Sequence, residues 1–198
     1  MNNFVYKFGE KLYINLTNRC SNNCTFCLRN NGDEVGGYYL WLEREPSAQE
    51  VIELLKQEDI KKYPEVVFCG YGEPTYKIDE IAEIGAYLKQ QGAVTRLDTN
   101  GQGNLINGSN IVPKLVNVID KISISLNQYS ASEYDKICLS EFGEQGFDAM
   151  IDFAVMCKQA GLKTRFTLVD VLPAQDIEKC KSLANSLDID LEIRSYIE

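Results

Sequence analysis

The sequence predicts an α/β fold with a parallel six-stranded sheet, arranged as a partial (β/α)6 TIM-like barrel. Apolar strand-like runs alternate with helical patterns along the chain, which is typical of βα units. Six such units are present, and each strand candidate ends in a polar, turn-rich segment. The 198 residues are too few for a closed eight-stranded barrel, which takes about 250. We therefore expect one domain over residues 1–198, with a site at the carboxyl ends of the strands.

The individual elements follow from apolar patterning and from start and stop signals. The strands are expected at residues 11–16, 65–69, 94–98, 121–126, 163–171 and 190–196. The helices are expected at residues 46–57, 78–92, 112–119, 144–161 and 173–187. Ser47 followed by Glu50 forms a capping-box pattern at the first helix, and Gly92 is placed to end the second. Each of the first five strands is thus followed by a connection long enough for a parallel crossover.

The fourth strand favours a half-barrel over a flat, doubly wound sheet. Its residues alternate between apolar and polar, in the order Ile122, Ser123, Ile124, Ser125, Leu126, Asn127. The apolar face suits packing against helices, and the polar face suits the inside of a barrel that holds a ligand. A doubly wound sheet more often carries apolar residues on both faces.

Composition excludes several classes of function. The chain has 29 acidic and 20 basic residues, a formal net charge of −9. Such a surface repels phosphate backbones, and no lysine- or arginine-rich block opposes it, so nucleic acid is not an expected partner. The sequence has no run of about 20 apolar residues for a membrane helix, and its start lacks the features of a signal peptide. We therefore expect a cytoplasmic protein.

Three of the seven cysteines lie in the stretch CSNNCTFC, at Cys20, Cys24 and Cys27. The chain has no histidine, which excludes imidazole ligands and imidazole acid–base catalysis. Clustered thiols in a reducing compartment indicate metal or redox chemistry, and thiolates select zinc, cuprous copper or iron–sulfur clusters. A structural zinc site has four ligands, whereas three close thiolates fit three corners of a cubane [4Fe–4S] cluster. The fourth iron is then open to a ligand that is not protein.

A second motif, CGYGEP at residues 69–74, ends the second expected strand. Glycines allow the backbone to approach a ligand closely, and Glu73 adds an acceptor suited to an ammonium group. Because the carboxyl ends of parallel strands meet at one edge, we expect this turn beside the cysteine loop.

These two motifs resemble those of the radical S-adenosylmethionine (SAM) superfamily: Cx3CxφC, with Phe26 as the aromatic residue, followed one strand later by a GGEP-like turn. The six βα units agree with that family's partial (β/α)6 barrel. The segments INLTNRCSNNCTFCLRN, LWLEREPS, VVFCGYGEPT, LDTNGQGNLI and SISLN most resemble the small radical SAM proteins associated with TatD-type nucleases. The chain departs from the common pattern by Tyr71 in place of a glycine and lacks the GxIxGxxE motif of the fifth strand.

The resemblance implies a set of cofactor contacts. Cys20, Cys24 and Cys27 are implied to hold the [4Fe–4S] cluster, with SAM on the fourth iron. Phe26 is implied to lie near the adenine, and residues 70–73 to receive the methionyl ammonium. The full set implied to contact SAM is Phe26, Gly70, Tyr71, Gly72, Glu73, Asp98, Thr99, Asn100, Ser125, Asn127 and Arg194.

The reaction that the resemblance implies is reductive. A flavodoxin- or ferredoxin-type donor supplies one electron, SAM is cleaved, and the resulting 5′-deoxyadenosyl radical abstracts hydrogen from an unidentified substrate. A short barrel leaves a wide mouth, which suggests a large substrate such as a protein or a nucleotide-like molecule, or else a homodimer that covers the opening. The alternatives are an activase-like or 7-deazaguanine-synthase-like minimal radical SAM enzyme, a non-catalytic iron–sulfur carrier or sensor, and a zinc-binding interaction module.

Overall fold

The computed structural model describes residues 2–196 as an α/β fold built on one large sheet. Its strands are β1 (Val5–Phe8), β2 (Lys11–Ile14), β3 (Glu34–Val35), β4 (Tyr38–Tyr39), β5 (Val66–Phe68), β6 (Thr95–Thr99), β7 (Lys121–Ser125), β8 (Lys163–Val169) and β9 (Asp190–Arg194). Its α-helices are α1 (Ala48–Leu55), α2 (Ile78–Gln90), α3 (Gly103–Asn107), α4 (Val112–Leu115), α5 (Ala131–Cys138), α6 (Gln145–Gln159) and α7 (Ala174–Ser186). Among residues 2–196, none of these helices is both long and apolar enough to cross a membrane.

The large sheet has the strand order β1-β2-β5-β6-β7-β8-β9. Every neighbouring pair from β2 to β9 is parallel, and β1 pairs antiparallel with β2. Within residues 2–196 the two edges are β1 and β9, so the sheet is an open, partial barrel. The predicted α/β fold and its six parallel strands are confirmed, and β1 adds a seventh strand at one edge.

Four elements lie outside the sequence-based expectations: β1, the β3–β4 hairpin, α3 and α5. Strand β1 forms because Gly9, at a φ of +58°, turns the chain so that Phe8 pairs with Lys11 across a two-residue loop. The helix expected at residues 112–119 is shorter and ends at Leu115. Helix α5 has the largest consequence for function, since it contacts the cysteine loop.

The two faces of β7 are divided as predicted. Ile122 and Ile124 are fully buried in the main apolar core. Ser123 lies on the opposite, concave face, where its hydroxyl accepts a 2.9 Å hydrogen bond from Arg165 Nε. The capping box at the start of α1 is also confirmed, because the side chains of Ser47 and Glu50 each accept from the other residue's backbone N–H.

Charged side chains pair along the concave face of the sheet. Glu65, before β5, contacts Lys11 at 3.1 Å, Lys121 at 2.6 Å and Arg96 at 3.3 Å. Burial acts to raise the pKa of Glu65, but hydrogen bonds from Lys121 and Lys11 and the charge of Arg96 outweigh it and bring the pKa to about 2. Arg96 also contacts Asp98 at 3.0 Å, so the series of ion pairs extends to the mouth of the barrel.

Candidate active site

The three clustered cysteines lie on the loop between β2 and β3, at the carboxyl edge of the sheet. All three are half-buried free thiols. The Asn22 backbone N–H donates to Cys20 Sγ at 3.4 Å, and Arg29 Nε donates to Cys27 Sγ at 3.2 Å. Burial raises the pKa of Cys20 to about 12, and a hydrogen bond with the Cys138 thiol, together with burial, raises the pKa of Cys24. A metal that binds these thiols therefore displaces their protons.

A buried polar network supports this loop from behind. Ser21 Oγ donates to Gln102 Oε1 at 2.7 Å and accepts from Asn100 Nδ2 at 2.8 Å. Gln102 Nε2 donates to Asn22 Oδ1 at 3.0 Å and to the Tyr134 hydroxyl at 3.1 Å. The Asn22 side chain donates to the same hydroxyl at 2.9 Å. All five residues are buried, so the network holds the loop in one arrangement.

The end of α5 forms a second support. The backbone N–H of Asn23 donates to the Cys138 carbonyl at 2.9 Å, and that of Thr25 donates to the Ile137 carbonyl at 2.9 Å. Cys138 is fully buried, and its thiol accepts from Asn127 Nδ2 at 3.6 Å. Sequence reasoning missed this support because nothing local in the sequence links α5 to a loop more than 100 residues earlier.

The glycine turn after β5 packs directly against the segment that leads to the cysteines. A Cβ atom on Gly72 would lie 2.6 Å from the Arg19 carbonyl oxygen and closer still to that of Thr17. A Cβ on Gly70 would overlap the Asn15 side chain. Glu73, the residue after Gly72, donates its backbone N–H to the Arg19 carbonyl at 2.7 Å. Glycine is therefore required here for the approach of two loops of the protein itself.

The carboxylate of Glu73 connects this turn to the end of β6. It accepts from Thr75 through both backbone N–H and hydroxyl, at 3.1 and 2.7 Å. It also accepts from the Thr99 hydroxyl and from the Asn100 backbone N–H, each at 2.7 Å. Glu73 is 3% exposed, and burial raises its pKa. Three residues of the expected SAM-contacting set are thus brought together, with the carboxylate facing protein donors.

Tyr71, the residue that departs from the family motif, anchors the first connection. Its hydroxyl donates to the Gly32 carbonyl at 2.9 Å, and its ring packs edge-on against Trp41 with centroids 5.2 Å apart. Arg29 lies over the Trp41 ring at 6.0 Å. The side chain of Tyr71 therefore points to the long connection that follows the cysteines.

A cavity of about 260 Å³ opens beside Cys27. Its lining combines aromatic and aliphatic side chains with charged and polar groups. The lining residues are Tyr6, Phe8, Tyr13, Cys27, Leu28, Arg29, Val35, Leu40, Cys69, Gly70, Tyr71, Asp98 and Arg194. Arg194 Nη1 lies 3.7 Å from Asp98 Oδ2, so these two expected site residues form an ion pair at the mouth.

The remaining expected residues have separate positions. Phe26 is half-buried and packs against the main core, and Ser125 is half-buried at the end of β7. Asn127 has a φ of +57°, and its side-chain amide is directed to Cys138. The structure thus gives Asn127 a protein partner within the support of the cysteine loop.

Comparison with known proteins identifies the family. The family model described as the radical SAM superfamily matches residues 14–187. The chain belongs to the radical SAM superfamily. Members of this superfamily are enzymes that use a [4Fe–4S] cluster and SAM. A comparison with curated proteins finds no match.

Solved structures of radical SAM proteins share the fold. Streptococcus suis SuiB bound to the precursor peptide SuiA is 21% identical, with a TM-score of 0.73, and the match covers 98% of this chain and 41% of that one. SuiB bound to SAM is 22% identical over 96% of this chain and 41% of that one, with a TM-score of 0.73. A radical SAM methyltransferase from Sphaerobacter thermophilus is 13% identical over 96% of this chain and 68% of that one, with a TM-score of 0.50. This chain spans about two fifths of the length of SuiB.

The donor set fits the cofactors of the superfamily. Cys20, Cys24 and Cys27 lie on one supported loop and offer soft ligands, without any histidine. Within residues 2–196, no three Cys, Asp or Glu side chains are arranged around a point that could hold a single metal ion. A cubane cluster is held differently, since each thiolate binds a separate iron.

Proposed function

We propose that this protein is a radical SAM enzyme in which Cys20, Cys24 and Cys27 hold a [4Fe–4S] cluster. The observation that carries the proposal is a three-thiol loop, supported by a buried side-chain network and by backbone hydrogen bonds to the end of α5, with a cavity open beside Cys27. The cluster and SAM together supply a 5′-deoxyadenosyl radical that removes a hydrogen atom from a substrate. The closer resemblance to TatD-associated proteins stays a prediction.

The chain's own residues position the reactants and limit the access of water. The aromatic side chains that line the cavity, which include Tyr6, Tyr13 and Tyr71, limit the access of water. Asp98 and Arg194, which also line the cavity, offer one acceptor and one donor group, suited to the amine and carboxylate of an amino-acid moiety. Glu73 holds the glycine turn against β6 through its contacts with Thr99 and Asn100.

The cavity also supports an enzyme over a passive electron carrier. A carrier needs only buried ligands around its cluster, whereas a catalytic centre needs room for a reactant next to an open coordination position. Cys27 forms part of the wall of a 260 Å³ cavity, so space exists beside the ligand loop. We propose a peptide or another large molecule as the substrate, in keeping with the open mouth of the barrel, and a flavodoxin- or ferredoxin-type electron donor.

Anaerobic purification followed by iron analysis tests the first part of the proposal. We expect about four irons per chain, and a loss of bound iron in each of the variants Cys20→Ala, Cys24→Ala and Cys27→Ala. Cys157→Ala is the matched control, because Cys157 is a fully buried cysteine of α6 outside the loop. One zinc per chain in place of iron would support the interaction-module alternative and contradict the proposal.

Incubation of the reduced protein with SAM tests the second part. We expect 5′-deoxyadenosine and methionine, detected by chromatography, from the native protein and from Cys157→Ala. Release of neither product from a fully reduced four-iron protein would count heavily against an enzyme and favour the electron carrier or sensor. Addition of peptide mixtures should raise product formation if the substrate is a peptide.

A further inference from the structure

Arg29 brings a positive charge to the sulfur of an expected cluster ligand. Its Nε donates a hydrogen bond to Cys27 Sγ at 3.2 Å. Two neutral donors reach the sulfur of Cys20, the Asn22 backbone N–H at 3.4 Å and Asn100 Nδ2 at 4.0 Å. The contact from Arg29 is shorter than either of these, and a charged group supplies it.

Two further contacts orient the guanidinium of Arg29. Its Nη2 donates to the Asn22 backbone carbonyl at 3.1 Å. The group also lies over the Trp41 ring, 6.0 Å from the ring centroid, and that ring packs edge-on against Tyr71. Because a guanidinium is planar and rigid, these contacts fix the direction of its Nε–H as well.

A tight turn fixes the backbone that carries Arg29. Residues Leu28–Asn30 form a single 3-10 turn directly after Cys27, and the Asn30 backbone N–H donates to the Cys27 carbonyl at 2.9 Å. The Asn30 side chain donates to the Cys24 carbonyl at 3.2 Å. The backbone of Arg29 is therefore fixed relative to the cysteine loop.

No carboxylate pairs with Arg29 in the part of the chain that the structure describes. Four other arginines each form an ion pair with an aspartate or glutamate: Arg44, Arg96, Arg165 and Arg194. Within residues 2–196, Arg19 is also without a carboxylate partner, and its guanidinium lies over the Tyr76 ring at 4.3 Å. Arg19 and Arg29 thus flank the cysteine loop with the same charge, but only Arg29 is hydrogen-bonded to a sulfur among the described residues.

A positive charge and a hydrogen bond at a sulfur of an iron–sulfur cluster raise its reduction potential, because they stabilise the added electron of the reduced state. We propose that Arg29 is a positioning residue that acts through Cys27: its Nε–H donates a charged hydrogen bond to the Cys27 thiolate and raises the reduction potential of the bound cluster. The proposal rests on the proposed function, since it requires a cluster on Cys27. It does not require the cleavage of SAM, because the potential belongs to the cluster alone.

A potentiometric titration of the reconstituted protein without SAM, followed by electron paramagnetic resonance, tests this role. Arg29→Gln removes the charge, and we expect it to keep about four irons but to be harder to reduce. The loss of one hydrogen bond to a charged group predicts roughly a tenfold fall in the reduction equilibrium, which is about 59 mV for one electron. Arg29→Lys keeps a charged donor and should recover part of the shift.

Arg19→Gln is the matched control, because it removes an exposed arginine next to Cys20 whose side chain has no sulfur contact among residues 2–196. Solvent and salt screen such a charge, so the reduction equilibrium should change by less than about threefold. Equal shifts in Arg29→Gln and Arg19→Gln would overturn the inference, since net charge and not the contact with Cys27 would then be the cause.

The other outcomes separate this inference from the proposed function. If the native protein binds about four irons and cleaves SAM while Arg29→Gln has an unchanged potential, the inference is wrong and the function stands. If the fully reduced native protein releases no 5′-deoxyadenosine, the function is contradicted, and the potentials of the variants still decide the inference.

A second measurement decides the inference if Arg29→Gln binds no iron. Native protein is prepared with nitrogen-15 in its arginine side chains, and pulsed electron paramagnetic resonance is recorded from the reduced cluster. Of the arginines within residues 2–196, Arg29 is the one with a side-chain nitrogen at hydrogen-bond distance from a ligand sulfur. We expect a nitrogen-15 coupling to the cluster from this contact, and the absence of that coupling would contradict the inference.

Discussion

Replacement of Gly72 by alanine tests why the turn after β5 contains glycine. If glycine serves the packing of the protein itself, Gly72→Ala lowers stability without any cofactor present. The added Cβ would lie 2.6 Å from the Arg19 carbonyl oxygen, whereas an ordinary C···O contact is about 3.3 Å or more. The obstacle is backbone on both sides, so a side-chain rotation cannot relieve it.

The expected loss of stability in Gly72→Ala has two contributions. Overpacking of this kind costs about 1 to 3 kcal/mol, and displacement of Arg19 also weakens the 2.7 Å bond from the Glu73 N–H, worth about 1 kcal/mol. The sum, about 2 to 4 kcal/mol, corresponds to a fall in Tm of roughly 5 to 15 °C for a chain of this length. Because Arg19 precedes Cys20, bound iron should decrease as well.

Thermal unfolding of the cluster-free protein, followed by circular dichroism, measures the effect. Tyr71→Phe is the control, since it removes only the hydroxyl that donates to Gly32 and should cost about 1 kcal/mol. An unchanged Tm for Gly72→Ala, with SAM binding lost, would refute the packing explanation and assign the glycine to the cofactor alone.

Three further predictions concern buried polar groups. Glu73→Gln should lower the free energy of unfolding, measured by urea denaturation, by about 2 to 4 kcal/mol, because the new amide N–H group faces a donor and leaves buried donors unpaired. A loss of SAM affinity without a loss of stability would instead indicate that the carboxylate is available to bind SAM. The ionised Glu65 should stabilise the fold at pH values above its unfolded pKa of about 4.5, and about 3 kcal/mol of this stabilisation should be lost as the pH falls towards 2. Glu65→Gln should therefore be less stable than the native protein at pH 7. A stability difference of the same size at pH 3 would contradict this. Gln102→Ala should cost about 2 kcal/mol and reduce iron binding, whereas Gln49→Ala, on an exposed part of α1, should change neither.

The parts of the site that could be predicted from the sequence are those encoded by short, local patterns. The spacing of Cys20, Cys24 and Cys27, the glycine turn and the alternation in β7 each involve neighbouring residues. These patterns are enough to predict the ligand loop, its adjacent turn and the polar inner face of the sheet. The six parallel strands follow in the same way from repeated βα patterns.

The supports of the loop could not be predicted, because they depend on long-range packing. Gln102 lies 81 residues after Ser21, and Tyr134 lies 112 residues after Asn22. A glutamine and a tyrosine in amphipathic or turn-like stretches carry no local sign of such partners. The contact of the Asn127 side chain with Cys138 is likewise not indicated by any local pattern, and the role of Asn127 as a SAM contact, which the resemblance implies, stays a prediction.

The distance in sequence between the cysteines and their supports also has a consequence for biosynthesis. A ribosome that adds about 5 to 20 residues per second takes roughly 5 to 20 seconds to proceed from Asn22 to Tyr134. During that interval the thiols are on a nascent chain whose supporting residues do not yet exist. We therefore expect delivery of the cluster to be a late event, acting on a chain that has already been synthesised beyond α5.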